Sequence, residues 1–144
     1  MPAAAVLLLC AIVGITDGDT LTARCEAQTI KVRLAEVDAP EHRQPFGARS
    51  REHLSGLCFG KRAEVRPIAA AGGRDRYGRT VAHVTCNGID ANTAQVRAGM
   101  AWVFDRYVTD RSLYRLQDRA RAEHRGLWAD ARPVAPWEWR AAAR

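Results

Sequence analysis

Residues 33–41, with the sequence RLAEVDAPE, place an arginine and two carboxylates around the end of a strand-like run. Asp38 ends the run, and Glu41 follows just past Pro40. Guanidinium groups match the geometry of phosphate oxygens, whereas carboxylates bind hard cations or accept a proton from water. A turn of solvated charges is the more common explanation of either carboxylate motif alone. The rest of the chain has to distinguish a phosphate-handling site from such a turn.

A second carboxylate motif, DGDT at 17–20, adds a ligand for a metal ion. Calcium takes several oxygen ligands from carboxylates, backbone carbonyls and water. Asp19, Asp38 and the carbonyl of Ala39 can supply such a set. We therefore interpret these three residues as a candidate calcium site.

Two arginines complete the constellation. Arg33 projects from the strand that leads to Asp38, and Arg79 closes the segment DRYGR at 75–79. Attack on a phosphodiester builds negative charge on phosphate oxygens, which guanidinium groups and a divalent ion stabilise. Glu41 is then left to orient or deprotonate the attacking water.

The composition supports an anionic partner. The chain has 144 residues, enough for one domain with a core, and a net charge of +6 with a pI near 9.7. Its positive side chains are nearly all arginine, since only Lys31 and Lys61 are lysine. This charge suits phosphate, although coding bias and a soluble surface explain arginine richness equally well.

The four cysteines predict disulfides rather than a zinc site, because they show no CxxC spacing. Counting outward from a turn at residues 17–18 puts Cys10 opposite Cys25 on a hairpin. That pairing leaves Cys58 with Cys86 by elimination. Four cysteines allow three pairings, so this connectivity is a hypothesis.

Hydrophobic periodicity predicts a small antiparallel barrel packed with helices. The expected strands cover 10–15, 21–25, 29–37, 62–68 and 80–86, and the expected helices cover 48–58, 91–98 and 112–125.

Both ends of the chain are set apart from the predicted domain at 10–130. Residues 1–9 form an apolar segment that reads as an incomplete export signal, and the apolar stretch is too short to span a bilayer. Residues 131–144 form a tail, in which PVAPWEWR at 133–140 is expected to be extended, with Trp137 and Trp139 packed on the barrel.

Six segments in this order resemble the thermonuclease family, the staphylococcal-nuclease-like domains, over about residues 10–128. They are DGDT at 17–20, RLAEVDAPE at 33–41, QPFG at 44–47, DRYGRTVAHV at 75–84, AQVRAGMAWV at 94–103 and GLW at 126–128. The resemblance implies an α+β fold, a five-stranded OB-fold barrel packed with three helices. It also implies calcium-dependent hydrolysis of DNA and RNA that leaves 3′-phosphate ends.

The same resemblance assigns roles to residues of this chain. It matches the family's catalytic residues to Arg33, Glu41 and Arg79, and its metal ligands to Asp19, Asp38 and the carbonyl of Ala39.

Substrate contacts follow from the aromatic and basic residues of the same motifs. The resemblance matches the family's substrate-binding tyrosine to Tyr77, beside Arg76, which stands where a lysine is common. Tyr107 is a candidate second tyrosine, in a segment whose Asp105 departs from the family pattern. The tryptophans and phenylalanine at 102, 104 and 128 are interpreted as core residues.

The leading hypothesis is an exported, secreted or periplasmic, calcium-dependent nuclease. Disulfides and calcium both suit an oxidising, calcium-rich compartment. We expect a monomer that acts on DNA and RNA in single-stranded or frayed form. The alternative is a catalytically inactive OB-fold module that only binds nucleic acid. A third hypothesis, a disulfide-stabilised interaction domain, rests on net charge alone.

Overall fold

A computed structural model describes residues 6–68 and 73–143 and contains a closed five-stranded barrel. The strands are β1 (Leu8–Asp17), β2 (Thr20–Cys25), β3 (Gln28–Leu34), β4 (Val37–Asp38), β5 (Arg62–Pro67), β6 (Thr80–Cys86), β7 (Ile89–Asp90) and β8 (Trp102–Val103). The order β3-β2-β1-β5-β6 closes through a β3–β6 contact. That contact is parallel, so the barrel is mixed rather than wholly antiparallel as predicted.

The helices are α1 (Gly47–Cys58), α2 (Ala91–Arg97), α3 (Leu113–Ala122) and α4 (Pro136–Ala142), with a 3₁₀ turn at Gly126–Ala129. The three helices expected from periodicity are therefore present. The extended conformation predicted for the tail is wrong, because residues 136–142 form α4. Pro136 occupies the first turn of α4, where its missing N–H has no helical partner to lose.

The first hairpin joins β1 to β2 with an irregular register. Asp17 pairs with Thr20 at the turn, whereas Ala11 pairs with Arg24 further along. Two irregularities in β1 shift the register between these points and bring Cys10 towards Cys25. The predicted disulfides Cys10–Cys25 and Cys58–Cys86 are both formed.

The predicted third strand ends earlier than expected. β3 stops at Leu34, and Glu36 takes a left-handed conformation with φ 68°. The chain then forms the separate short strand β4, in which Asp38 pairs with Trp102 of β8. Asp38 is thus held by a second small sheet instead of ending the barrel strand.

The barrel interior is filled by aliphatic side chains from alternate strand positions, which fixes the strand register. Ile12, Leu21, Val32, Val65 and Val84 are all at most 1% exposed. The apolar N-terminal segment enters this barrel at β1, although residues 1–5 lie outside the described residues. None of the described helices is both long and apolar enough to cross a membrane.

The two disulfides should contribute much of the stability. They close loops with sequence separations of 15 and 28 residues, and each bridge is expected to stabilise the fold by about 2–4 kcal/mol. Full reduction should therefore lower Tm by roughly 10 °C or more in a calorimetric scan. A free-thiol titration serves as the control for complete reduction. An unchanged Tm in fully reduced protein would contradict this prediction.

Candidate active site

The centre of the site is Asp38, whose side chain is 1% exposed and lies beside Arg33. Arg33 Nη2 donates to Asp38 Oδ1 at 3.1 Å and lies 3.5 Å from Asp19 Oδ2. Its other terminal nitrogen, Nη1, donates to the carbonyls of Leu34 and Val37, each at 2.8 Å. The guanidinium is therefore fixed by backbone carbonyls on one side and carboxylates on the other.

Asp19 reaches this centre from the turn between β1 and β2. Its Oδ2 accepts a hydrogen bond from the Ala39 backbone N–H at 2.7 Å, and its Oδ1 accepts from the Thr20 hydroxyl at 2.9 Å. Gly18 allows this turn to pack closely against α1, because a Cβ at residue 18 would lie 1.8 Å from Ser50 Oγ. The DGDT motif thus combines a carboxylate with a glycine that the packing of α1 requires.

Glu41 lies on the loop between β4 and α1, with its side chain 37% exposed. Its backbone N–H donates to Gln44 Oε1 at 3.0 Å. Gly47 packs directly on its carbonyl, since a Cβ at residue 47 would lie 2.0 Å from the Glu41 oxygen. The QPFG segment therefore fixes the backbone that carries Glu41.

The largest contribution that sequence analysis missed comes from α4. Arg140 Nη1 donates to Glu41 Oε1 at 2.6 Å and to Asp38 Oδ1 at 3.2 Å, while Nη2 donates to Asp38 Oδ2 at 2.7 Å. The partner carboxylates raise the pKa of the Arg140 guanidinium. Arg140 ends the segment PWEWR. Sequence analysis missed it because no other residue of a recognised motif lies near it in the sequence.

Negative charge dominates the site. Burial raises the pKa of Asp38, and the Asp19 carboxylate adds to this effect, whereas Arg140 and Arg33 oppose it. Asp17, which sequence analysis also missed, has its pKa raised by burial and then by the charges of Asp19 and Glu41. Because these carboxylates outnumber the two guanidinium groups, the site is suited to one further cation.

The oxygen donors of Asp19, Asp38 and the Ala39 carbonyl are of the kind that hard cations such as calcium prefer. Within residues 6–68 and 73–143, no group of three or more histidine, cysteine, aspartate or glutamate side chains is arranged to hold a metal ion. A calcium ion can be held by two carboxylates, a backbone carbonyl and several waters, a set that includes only two such side chains. Asp19, Asp38 and the Ala39 carbonyl are the residues that would hold it.

Arg79 lies on the loop that precedes β6, apart from the contacts that join the other predicted site residues. Its Nε donates to Asp75 Oδ2 at 2.7 Å, and its guanidinium lies 5.4 Å from the centre of the Tyr77 ring. The β3–β6 register pairs Arg33 with Val81, which places the start of β6 next to β3. The structure thus brings Arg33, Asp19, Asp38, Ala39 and Glu41 together, while the described contacts of Arg79 go to its own loop.

Two of the three predicted substrate-binding residues, Arg76 and Tyr77, form a basic, aromatic surface beside Arg79. The Tyr77 side chain is 69% exposed, and Arg76 Nη2 donates to its hydroxyl at 2.8 Å. An open groove of about 230 Å³ is lined by Tyr77 and Arg79 together with Lys31 and Arg74. This surface can stack a base and contact phosphates.

Tyr107 belongs to a separate aromatic cluster, in which it contacts Phe104. Its ring meets Phe104 edge-on at 4.9 Å, and Phe104 lies 6.0 Å from the Arg33 guanidinium. Trp128 is buried, as predicted, and packs 4.5 Å from the half-buried Trp102. Phe104 is half-buried and connects Tyr107 to the centre of the site.

The loop that carries Tyr107 is tied to the end of β3 by Glu36. The Glu36 carboxylate accepts hydrogen bonds from the backbone N–H groups of Thr109 and Asp110 at 2.5 Å and 2.7 Å. Burial alone would raise the pKa of Glu36, but these hydrogen bonds lower it below its usual value. Glu36 was not predicted as a functional residue, because it lay inside the strand expected over 29–37.

Two buried amides of α2 hold the backbone around the site, and sequence analysis missed both. Gln95 Nε2 donates to the Gly18 carbonyl at 2.7 Å, next to Asp19. Asn92 Nδ2 donates to the Ala35 carbonyl at 2.9 Å. Helix α2 therefore supports both the turn that carries Asp19 and the turn that leads into β4, where Asp38 lies.

A small mixed barrel that holds carboxylates and guanidinium groups in contact has the groups that proteins use to bind and act on phosphate esters. Residues 31–130 match the family described as "Staphylococcal nuclease homologue". The chain belongs to this family, which confirms the resemblance seen in the motifs and the barrel fold expected from it.

The chain is similar to several bacterial proteins over most of its length. It is 42% identical to an "Uncharacterized endonuclease" of Escherichia coli O157:H7, over 90% of this chain and 82% of that protein. An "Uncharacterized endonuclease" of Haemophilus influenzae is 43% identical, over 91% and 72% of the two chains. A "Micrococcal nuclease" of Shigella flexneri is 38% identical, over 92% and 80%.

Proposed function

We propose that this chain is a calcium-dependent endonuclease that hydrolyses phosphodiester bonds of DNA and RNA. The observation that carries the proposal is the position of Arg33 Nη2, which lies within 3.5 Å of carboxylate oxygens of both Asp19 and Asp38. Arg140 also joins Glu41 to Asp38, because its guanidinium pairs with both carboxylates. Family membership and relatives named as endonucleases support the same reaction class.

In the proposed mechanism Glu41 accepts a proton from a water molecule that attacks phosphorus in line with the 5′-oxygen. Arg33 and Arg79 donate hydrogen bonds to the phosphate oxygens on which charge develops. A calcium ion held by Asp19, Asp38 and the Ala39 carbonyl would supply Lewis-acid stabilisation of the same charge. The bond from phosphorus to the 5′-oxygen breaks with its electron pair on that oxygen, which takes up a proton from solvent, and the products are a 3′-phosphate and a 5′-hydroxyl.

Tyr77, Arg76 and Tyr107 are proposed to bind the nucleic acid. Aromatic faces stack on bases without regard to sequence, and the neighbouring arginines contact the backbone. Because stacking needs unpaired bases, the preferred substrate is single-stranded or frayed, and one monomer provides the whole site.

Hydrolysis of single-stranded DNA and RNA tests this function. Cleavage is expected with calcium and is expected to stop with chelator, and Asp38→Asn should abolish it at ordinary calcium concentrations. Product ends should resist extension by a polymerase until a phosphatase removes the 3′-phosphate. If the wild-type protein binds oligonucleotides but cleaves under no metal condition, the inactive binding module becomes the correct description.

We also propose a secreted or periplasmic location. The support is chemical, because both disulfides need an oxidising compartment and calcium is abundant there. Fractionation of cells that express the native gene should place the protein outside the cytoplasm with its cysteines oxidised. A cytoplasmic pool with four free thiols would contradict this proposal.

A further inference from the structure

The guanidinium of Arg140 occupies the space between the two carboxylates to which different roles are proposed. One nitrogen, Nη1, donates both to Glu41 Oε1 at 2.6 Å and to Asp38 Oδ1 at 3.2 Å. Nη2 completes a bidentate contact with Asp38 at 2.7 Å. Because a guanidinium is planar and rigid, these hydrogen bonds fix the Glu41 carboxylate relative to the Asp38 carboxylate.

The position of Arg140 is set by packing as well as by charge. Trp137, one turn earlier in α4, stacks on Phe104 with a centroid distance of 5.5 Å and an interplanar angle of 2°. The same ring meets Trp102 edge-on at 5.7 Å. Ala135 and Pro136 are buried at the start of the helix. The aromatic contacts therefore hold α4 against the site independently of the ion pairs.

A second connection joins the tail to Glu41 through Gln44. Gln44 Nε2 donates to the Val134 carbonyl at 2.6 Å, while its Oε1 accepts from the Glu41 backbone N–H at 3.0 Å. The tail thus contacts Glu41 at its side chain and, through one residue, at its backbone. Within the part of the chain that the structure describes, Glu41 Oε2 receives no hydrogen bond, so this oxygen is free to accept a proton from water.

We propose that Arg140 is a positioning residue of the hydrolytic site, which aims the Glu41 carboxylate at the attacking water. This inference rests on the proposed nuclease function. Glu41 lies on a loop with its side chain 37% exposed, so it needs such a restraint to keep one orientation. The segment at residues 136–140 then contributes to catalysis by positioning Glu41.

The contacts of Arg140 with Asp38 also predict an effect on calcium binding. It donates to both oxygens of Asp38, so it competes with a cation for that carboxylate. Removal of the guanidinium should therefore strengthen calcium binding while it weakens catalysis. A merely structural role predicts the opposite for calcium, since a loosened site loses affinity.

The test compares wild type with Arg140→Ala and Arg140→Lys. Turnover of a short fluorescent single-stranded DNA gives kcat and KM, calorimetry with calcium alone gives Kd, and a thermal scan gives Tm. For Arg140→Ala we expect kcat to fall by about 10- to 100-fold with KM within about threefold. Calcium affinity should rise. The lysine variant should recover part of kcat. Arg132→Ala, an exposed arginine of the same tail, is the matched control and should behave like wild type.

Four results would overturn the proposal in distinguishable ways. An unchanged kcat in Arg140→Ala would remove the positioning role, and a raised kcat with tighter calcium binding would make Arg140 an inhibitor of the site. A parallel fall of Tm, kcat and calcium affinity would make its role structural. A wild-type protein that neither binds calcium nor cleaves DNA would overturn the proposed nuclease function and this role together.

Discussion

Replacement of Glu41 by glutamine should lower kcat by at least about 100-fold while the Kd for single-stranded DNA changes by less than about threefold. Glutamine keeps the size of the side chain and its carbonyl oxygen can still accept a hydrogen bond from Arg140 Nη1. It cannot accept the proton of a water molecule at neutral pH. The variant therefore separates proton transfer from positioning and from binding.

The measurement pairs single-turnover cleavage with fluorescence anisotropy in calcium and in chelator. Glu52→Gln is the matched control, because Glu52 is exposed on α1, just beyond the loop that carries Glu41, and its loss changes the net charge equally. Unchanged turnover in Glu41→Gln would exclude Glu41 as the base. Lost binding together with lost turnover would instead assign Glu41 to the metal or substrate site.

The central strand and loop of the site could be predicted from local sequence. Arg33, Asp38 and Glu41 lie within nine residues, so the strand and its exit bring them together with little help from the rest of the fold. Asp19 could also be predicted as a site residue. It ends the hairpin turn before β2, and Thr20 at the start of β2 pairs with Arg33 of β3. Short-range geometry was sufficient for these residues.

Arg140 could not be predicted, because its contact with Glu41 spans 99 residues and depends on how α4 docks. The two prolines that precede it, Pro133 and Pro136, indicated an extended segment, whereas Pro136 in fact begins a helix. The docking depends on the stacking of Trp137 on Phe104, two residues whose proximity follows from the assembled barrel alone. Long-range packing of aromatic side chains leaves no periodic signal in the sequence.

The disulfide prediction was correct although its register argument was incomplete. A regular hairpin centred on residues 17–18 would pair Cys10 with Cys25, whereas the structure centres the turn on residues 18–19 and shifts the register twice. The irregularities restore the pairing that the simple count assumed. Such bulges are set by the barrel's curvature, which hydrophobic alternation does not reveal.

Replacement of Arg33 by lysine should lower kcat/KM by about 100- to 1000-fold, the effect expected for loss of a preorganised donor at a developing charge. Lysine is a point charge and cannot donate at once to two carbonyls and two carboxylates. Since the Arg33 side chain is only 12% exposed, the carbonyls of Leu34 and Val37 would lose their donor in a nearly dry environment. Tm should therefore also fall, by roughly 5 °C.

Arg66→Lys provides the comparison for this variant, because Arg66 also lies on a barrel strand but is 61% exposed and pairs only with Glu64 at 3.4 Å. Its substitution should change neither kcat/KM nor Tm, since exposed ion pairs contribute little. Arg79→Lys should lower kcat/KM with a smaller loss of Tm, because the Arg79 side chain is 31% exposed and contacts its own loop. If Arg33→Lys lost stability but kept turnover, Arg33 would be a structural clamp for Asp38 and the phosphate charge would have to be stabilised by other groups.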